Sequence, residues 1–461
     1  MKVLFRGGGV LRMDSQHNTI PVGYVLVEDG RITAVGPVRE APADTEVNHV
    51  EDVSGCWVVP GLINMHQHHW YQLLKGISPG LYLEEWVDEI LRPASEALTL
   101  DDFLVSMRLA AADMLTTGTT TFFNHSVVET PAAWVDDLAT VSVGTGIRQV
   151  LGKEVRATTR RTPPDEHRVH IERLLRDYPL RADSLFGVAL AIETGEHWLR
   201  SGTMTEELAA YVTRLVAEFD VPVSDHVTGG TSFRSVADFR RRTGSGEVEW
   251  LARRGLLTQR MLLAHAVWIT DDEVLSATAS GATVVTCPSS SAFTAGGVPP
   301  VRSWLASGLN VAVGTDGPMV NDSLDMLGQL RECFLLQNVK YLTPAAVPID
   351  TLWAMATRNG AKALGLDGQL GEITPGASAD LAVFDLDDPR YGGALNPPAN
   401  LVLSGGQREA RTVMVRGEIV KDAGGLRTID VPEALRESRE RARELVARAG
   451  LRVDRAGTQS P

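Results

Sequence analysis

Cysteine is scarce in this chain: Cys56, Cys287 and Cys333 are the only three among 461 residues. An odd, small number does not read as a disulfide framework, and without a C-x-x-C pair a cysteine-based zinc site has no support. Positive charge is in deficit, with 44 Lys and Arg against 58 Asp and Glu and a formal net charge of -14. That balance argues against nucleic acid and anionic membranes as partners. No run of 18 or more apolar residues is present, so no transmembrane helix is expected. The first residues, Met1 to Gly9, have neither a long apolar stretch nor a small-residue cleavage site, and a cytoplasmic protein is the expectation. Gly7-Gly8-Gly9 precedes a strand and lacks a following Lys-Ser/Thr, so it is not a phosphate loop. Repeats and low-complexity tracts are missing as well.

What is there is enough chain to bury a large core, as one big domain with a smaller one. Residues 1–57 and 369–430 read as short strands and turns. Val25–Gly36 is a hairpin signal around Asp29-Gly30, and Thr412–Val420 is another around Arg416-Gly417. Two strand-rich ends flanking one long middle predict a small β-sandwich formed from both. Residues 58–368 alternate apolar strand-like runs with helical periods. The strand candidates are Trp57–Ile63, Thr119–Asn124, Ile147–Leu151, Leu185–Ile192, Val221–His226, Met261–Ala266, Ala282–Thr286 and Val311–Gly314. Eight such runs with helices between them, for example Thr205–Phe219 and Glu247–Arg254, predict an α/β fold, a (β/α)8 TIM-type barrel. Continuous apolar strands fit a parallel sheet covered on both faces. Residues 431–461 read as a charged surface helix and a frayed tail.

The strongest chemical signal is Pro60-Gly61-Leu62-Ile63-Asn64-Met65-His66-Gln67-His68. Strand side chains alternate faces, so His66 and His68 point the same way at a strand end. In a barrel, the C-terminal strand ends carry the chemistry. Two imidazoles on one face are a natural pair of ligands for a divalent metal. Three further strand ends deliver His226, His265 and Asp316. Each alone reads as a cap or structural residue; together they predict a metal site.

This set resembles the amidohydrolase superfamily, in its cytosine/guanine-deaminase and triazine-hydrolase branch. The resemblance extends over Gly118-Thr119-Thr120-Thr121, Cys287-Pro288-Ser289-Ser290-Ser291, Gly314-Thr315-Asp316-Gly317 and Gly371–Leu381. It implies one divalent ion bound by His66, His68, His226 and Asp316, with zinc the default and iron(II) or manganese compatible. It implies that Asp316 also acts as general base toward a water acidified by the ion, and that His265 orients that water or polarises the tetrahedral intermediate. His265 as a direct ligand is the alternative. It further implies a small heterocyclic substrate and a homodimer.

One departure bears on the reaction. Deaminating and dechlorinating members of that branch usually carry a glutamate just after the fifth-strand histidine, which shuttles protons to a ring nitrogen and the leaving group. Here the chain reads His226-Val227-Thr228-Gly229-Gly230-Thr231, with no carboxylate, and Thr228 is a poor proton carrier. Glu193, Glu196 or Asp225 could substitute, or each could be a solvated or capping group. Ser291 stands where relatives often have Asn, and Phe293 where a polar residue is common; an aromatic there marks an apolar pocket or a packing contact. Trp70, Tyr71, Leu83 and Trp86 either stack a flat substrate or pack under the rim. His125 lines the pocket or serves structurally, His69 faces the other side of its strand, and Lys153 is rejected as a bridging ligand. The substrate-pocket candidates are thus Trp86, His125, Glu193, Thr228 and Phe293. The expected activity is hydrolytic deamination of a small N-heterocycle. The alternatives are ring opening or dechlorination of such a ring, a metal-dependent lyase, or a silent binder.

Overall fold

In a computed structural model, residues 1–453 are described except 17, 78–79, 229–232, 405 and 407–408. The tail from 454 and the Gly229-Gly230-Thr231 stretch lie outside the described residues. Eight parallel strands follow one another in sequence and in space. They are β1 (Leu62–Gln67), β2 (Thr119–His125), β3 (Arg148–Glu154), β4 (Phe186–Ile192), β5 (Val223–Val227), β6 (Met261–His265), β7 (Thr283–Thr286) and β8 (Asn310–Val313). Residues of β1 to β4 are buried on both faces, as the uninterrupted apolar runs require. Helices cross between the strands. Thr205 caps one of them, Glu206–Phe219, by accepting from the Leu208 amide, and Thr270 with Glu273 forms a capping box on Asp271–Ser280. The ring closes where the Asp316 amide donates to the His66 carbonyl at 2.9 Å.

The two chain ends make two smaller sheets. One has four strands, ordered Arg31–Pro37, Gly23–Glu28, Lys2–Arg6 and His49–Asp52. In the other, Leu381–Asp385 pairs antiparallel with Cys56–Pro60, joining the C-terminal part to the N-terminal part. Val3, Phe5, Val25, Ile32, Val58, Ile373, Leu381 and Met414 form their shared core.

The expected strand Trp57–Ile63 is two strands. Cys56–Pro60 belongs to the small sheet and β1 to the barrel, with Gly61 as the step between them. A Cβ on Gly61 would stand 2.1 Å from Thr120 Oγ1, so the crossing needs a residue without a side chain. Small sheet and barrel are also tied by a buried ion pair, Arg148 Nη2 to Asp380 Oδ2 at 3.1 Å. The closing helix, Val431–Arg448, buries Ala434 and Leu445 and pairs Arg441 and Arg448 with Asp101 and Asp102 of the helix Leu100–Thr116.

Candidate metal centre

The C-terminal ends of β1, β5 and β6 and the residues just after β8 put four histidines and one aspartate together. His66 and His68 share a strand face because they are two residues apart, with ring centroids 4.8 Å from each other. His226 lies 4.9 Å and His265 5.1 Å from the His66 ring. Asp316 Oδ1 is 3.2 Å from His68 Nε2 and 3.6 Å from His66 Nε2. Three of the strand-end residues have left-handed backbones: Thr228 (φ 43°), His265 (φ 66°) and Asp316 (φ 59°). Such conformations cost on the order of 1–3 kcal/mol each in residues other than glycine and gather at functional sites.

The hydrogen bonds fix which ring nitrogens are available. His68 Nδ1 stands 2.7 Å from the His125 carbonyl oxygen, which can only accept. His226 Nδ1 stands 2.7 Å from Glu193 Oε1. Burial works against ionising Glu193, but the His226 and His125 rings hold its carboxyl well below the usual range, so it too accepts. Both Nδ1 atoms therefore carry hydrogen and both Nε2 atoms present lone pairs in the neutral rings. Those two Nε2 atoms are 3.3 Å apart. Facing each other at that distance they need a proton or a metal ion between them: burial disfavours the imidazolium, but Glu193 outweighs it and raises the His226 pKa to about 8, so a proton serves until an ion displaces it. Donors 2.0–2.1 Å from a tetrahedral zinc stand about 3.3 Å from one another, which matches the spacings of His68 Nε2 to His226 Nε2 and to Asp316 Oδ1. His66 is fully buried, and neither of its ring nitrogens has a hydrogen-bond partner among the described residues. The donor set fits a divalent metal.

Among the described residues, three overlapping groups around His66 could ligate an ion. His125 is engaged at both nitrogens, by Ser224 Oγ at 3.0 Å and Glu193 at 3.2 Å, which leaves it no lone pair for an ion. Cys287 is buried, and burial pushes its thiol well above its usual range in the ion-free chain; its group uses His265 in place of His68 and Asp316. His66, His68 and Asp316, completed by His226, remain. His265 Nε2 is 3.8 Å from Asp316 Oδ2, and burial lowers its pKa to about 4, so the ring is neutral. Asp316 Oδ2 also accepts from Ser290 Oγ at 2.5 Å.

A cavity of about 570 Å³ opens above these residues, lined in part by Tyr71, Leu83, Trp86, Glu193, Thr228 and Glu247. Of the pocket candidates, Trp86, Glu193 and Thr228 line it. His125 sits behind Glu193, buried and not at the cavity wall. Phe293 does not line it either: this residue ends the short helix Pro288–Phe293 on the solvent side, 36% exposed, while Ser290 and Thr294 face inward. His69 bonds Asn124 and the Phe103 carbonyl, in a structural position. Lys153 is buried against Glu154. A further cavity of about 590 Å³ lies away from the histidines, against Arg31, Asp183 and Arg416.

Residues 57–420 match the amidohydrolase family. A 5-methylthioadenosine/S-adenosylhomocysteine deaminase from Syntrophobacter fumaroxidans is 31% identical over 453 residues, covering 96% of this chain and 98% of the relative. The chain belongs to the amidohydrolase family. An adenosine deaminase from Xanthomonas campestris, solved with bound zinc, superposes with a TM-score of 0.88 at 25% identity, over 96% of this chain and 98% of that one. An atrazine chlorohydrolase from Arthrobacter aurescens, in complex with zinc, shares the fold with a TM-score of 0.87 at 22% identity, over 95% and 100% of the two chains. This amidohydrolase is a metal-dependent hydrolase of C–N bonds in a small heterocycle, and the match to deaminases favours deamination over ring opening, dechlorination or lyase chemistry. Among its described residues, no helix is long and apolar enough to cross a membrane.

Among the cavity-wall residues that sequence reasoning missed, Glu247 is the buried carboxylate. Glu247 lies 21 positions past His226, at the first turn of a helix, where a carboxylate reads as a partner of the helix dipole. Only the path of the chain brings it to the cavity.

Proposed function

We propose that this amidohydrolase removes the amino group of a 6-aminopurine nucleoside, using one zinc ion held by His66, His68, His226 and Asp316. The reading is carried by the Nε2 atoms of His68 and His226, 3.3 Å apart beneath the cavity with Asp316 Oδ1 3.2 Å from the first. The substrate class follows from the deaminase relatives named for 5-methylthioadenosine and adenosine. A cavity of about 570 Å³ lies within the range of small-molecule sites.

A divalent ion bound to this set makes water acidic enough to yield hydroxide near neutrality. The chain's own residues do the rest. Asp316 Oδ2 lies between Ser290 Oγ and the His265 ring, placed to take the water's proton. His265, kept neutral by burial, offers Nε2 to the forming oxyanion or to the water. Glu193 fixes the His226 ring through Nδ1 and raises the basicity of Nε2. Tyr71 and Trp86, with ring centroids 5.6 Å apart, supply an aromatic wall for a flat base.

The test is ammonia release by zinc-loaded protein on adenosine, 5'-deoxyadenosine, 5-methylthioadenosine and S-adenosylhomocysteine. At least one is turned over, with the ultraviolet change from 6-amino to 6-oxo purine. His66→Ala and His68→Ala lose both zinc and turnover. A zinc-replete protein that releases ammonia from none of the four overturns the proposal.

A further inference from the structure

Ammonia leaves only when its nitrogen is protonated, and attack at C6 requires a proton on the neighbouring ring nitrogen. The cavity must therefore hold a carboxyl able to keep and release a proton, and its acidic residues differ sharply in this respect. Asp316 belongs to the ligand set. Glu193 Oε1 is taken up by two rings, His226 Nδ1 at 2.7 Å and His125 Nε2 at 3.2 Å. Glu196 is paired with Arg242 at 2.8 Å, and Asp88 with Arg92 at 2.7 Å. Asp225 points away from the cavity, onto the Thr194 amide and hydroxyl. Glu84 is half-buried and accepts from Ser235 Oγ at 2.6 Å, Glu85 is exposed and accepts the Tyr82 amide at 3.2 Å, and Asp238 pairs with Arg241. Glu247 differs from all of them. It is 4% exposed, lines the cavity, and has no ion pair among the described residues.

The position of Glu247 is built from three elements. Its Oε2 accepts the Thr228 amide at 2.6 Å, two residues past His226. Thr228 is fixed in turn by the Trp268 amide, which donates to Oγ1 at 3.1 Å. The helix Glu247–Arg253 begins at Gly246, where a Cβ would meet Glu273 Oε1 at 2.0 Å. Glu273 Oε1 also accepts the Val248 amide at 3.2 Å, so the helix start is pinned on both sides. Among the described residues, Glu247 Oε1 makes no hydrogen bond.

We propose that Glu247 is a catalytic acid–base residue of the deamination, reaching the cavity from a helix start instead of from the strand end that bears His226. This rests on the deaminase reading above. The protonated carboxyl gives its hydrogen to the ring nitrogen as the C–O bond to C6 forms, and the C=N π pair moves to that nitrogen. Asp316 has taken the first proton of the water. In the second half, the remaining O–H proton returns to Glu247 and the Asp316 proton goes to the amine. The C–N bond breaks with its electron pair on ammonia, the C6 carbonyl forms, and both carboxyls are restored. The surroundings suit the task. Burial, opposed by the Thr228 amide and reinforced by the charges of Glu273 and Glu193, raises the Glu247 pKa to about 7. Arg240, the arginine of the adjoining helix Phe233–Thr243 whose charge acts on Glu247, pairs with Glu273 at 3.4 Å.

The experiment uses the full-length zinc-loaded enzyme and Glu247→Gln, which keeps an acceptor for the Thr228 amide and removes the exchangeable proton. Expected is a zinc content equal to wild type, a kcat lower by about 100-fold or more on the best aminopurine nucleoside, and a KM within a few-fold. The limb of the wild-type kcat/KM profile that falls above about pH 7 should vanish. 6-Chloropurine riboside, whose chloride leaves without a proton, should suffer a smaller loss. Glu247→Asp should recover part of the activity if protein yield of the glutamine variant is poor. Loss of zinc, or deamination within tenfold of wild type by folded Glu247→Gln, overturns the assignment. A wild-type enzyme inactive on every aminopurine defeats the deaminase reading itself, a distinguishable result.

Discussion

Oε1 of Glu193 lies 2.7 Å from Nδ1 of His226, and this contact decides which face of the imidazole can hold an ion. Carboxylates in this position raise the basicity of the ligand nitrogen and fix the ring's tilt; removing them typically costs 10–100-fold in metal affinity. Glu193→Gln should therefore weaken zinc binding by about that factor, measured by competition with a chromophoric chelator. Unchanged affinity would show that the contact is incidental.

Chelation should abolish turnover, and stoichiometric zinc should restore it. Thermal unfolding should shift with metal content, because an ion that binds only the folded chain stabilises it by mass action. Paired calorimetry of chelated and reconstituted protein checks both.

The acidity of Glu247 has a thermodynamic signature. Its pKa rises from 4.5 in the unfolded chain to about 7 in the folded one. Between those values the unfolded chain has released a proton that the native protein retains, so stability falls as pH rises from about 4.5 to 7 and levels off above. The loss is about 3 kcal/mol at most, at 1.36 kcal/mol per unit. The difference in unfolding free energy between Glu247→Gln and wild type should widen across that window in favour of the variant. A constant difference from pH 5 to 8 would refute this.

Arg148 is 1% exposed and its partner Asp380 4%; the pair joins the barrel to the small sheet. Replacing Arg148 with Ala leaves a buried carboxylate uncompensated, at a cost of about 3–5 kcal/mol in urea unfolding. Phe293→Ala is the contrasting case. With its side chain outside the cavity, KM for the nucleoside should not move.

Most of the barrel was legible because its strands are buried on both faces and read as apolar runs ending in His or Asp. The residues proposed as ligands sit at or just past such ends, so local pattern was enough to suggest them. The break at Gly61 was not legible: Cys56–Pro60 and β1 form one apolar run, and only the closeness of Thr120 forces the step. Phe293 was misplaced because a single step along a helix, about 100°, separates it from Thr294 and turns its side chain to solvent. Glu247 was invisible for a different reason. Its meaning depends on the Thr228 amide and on Glu273, groups brought to it by chain turns that no periodicity encodes.

The seam where β8 returns to β1 has its own consequence. His66 and Asp316 are 250 positions apart, yet the Asp316 amide holds the His66 carbonyl at 2.9 Å. A ribosome-bound chain that has not yet emitted Asp316 lacks both the final donor atom and the strand that closes the ring. Assembly of the proposed ion site is therefore late in synthesis, because its last carboxylate follows the eighth strand of the ring.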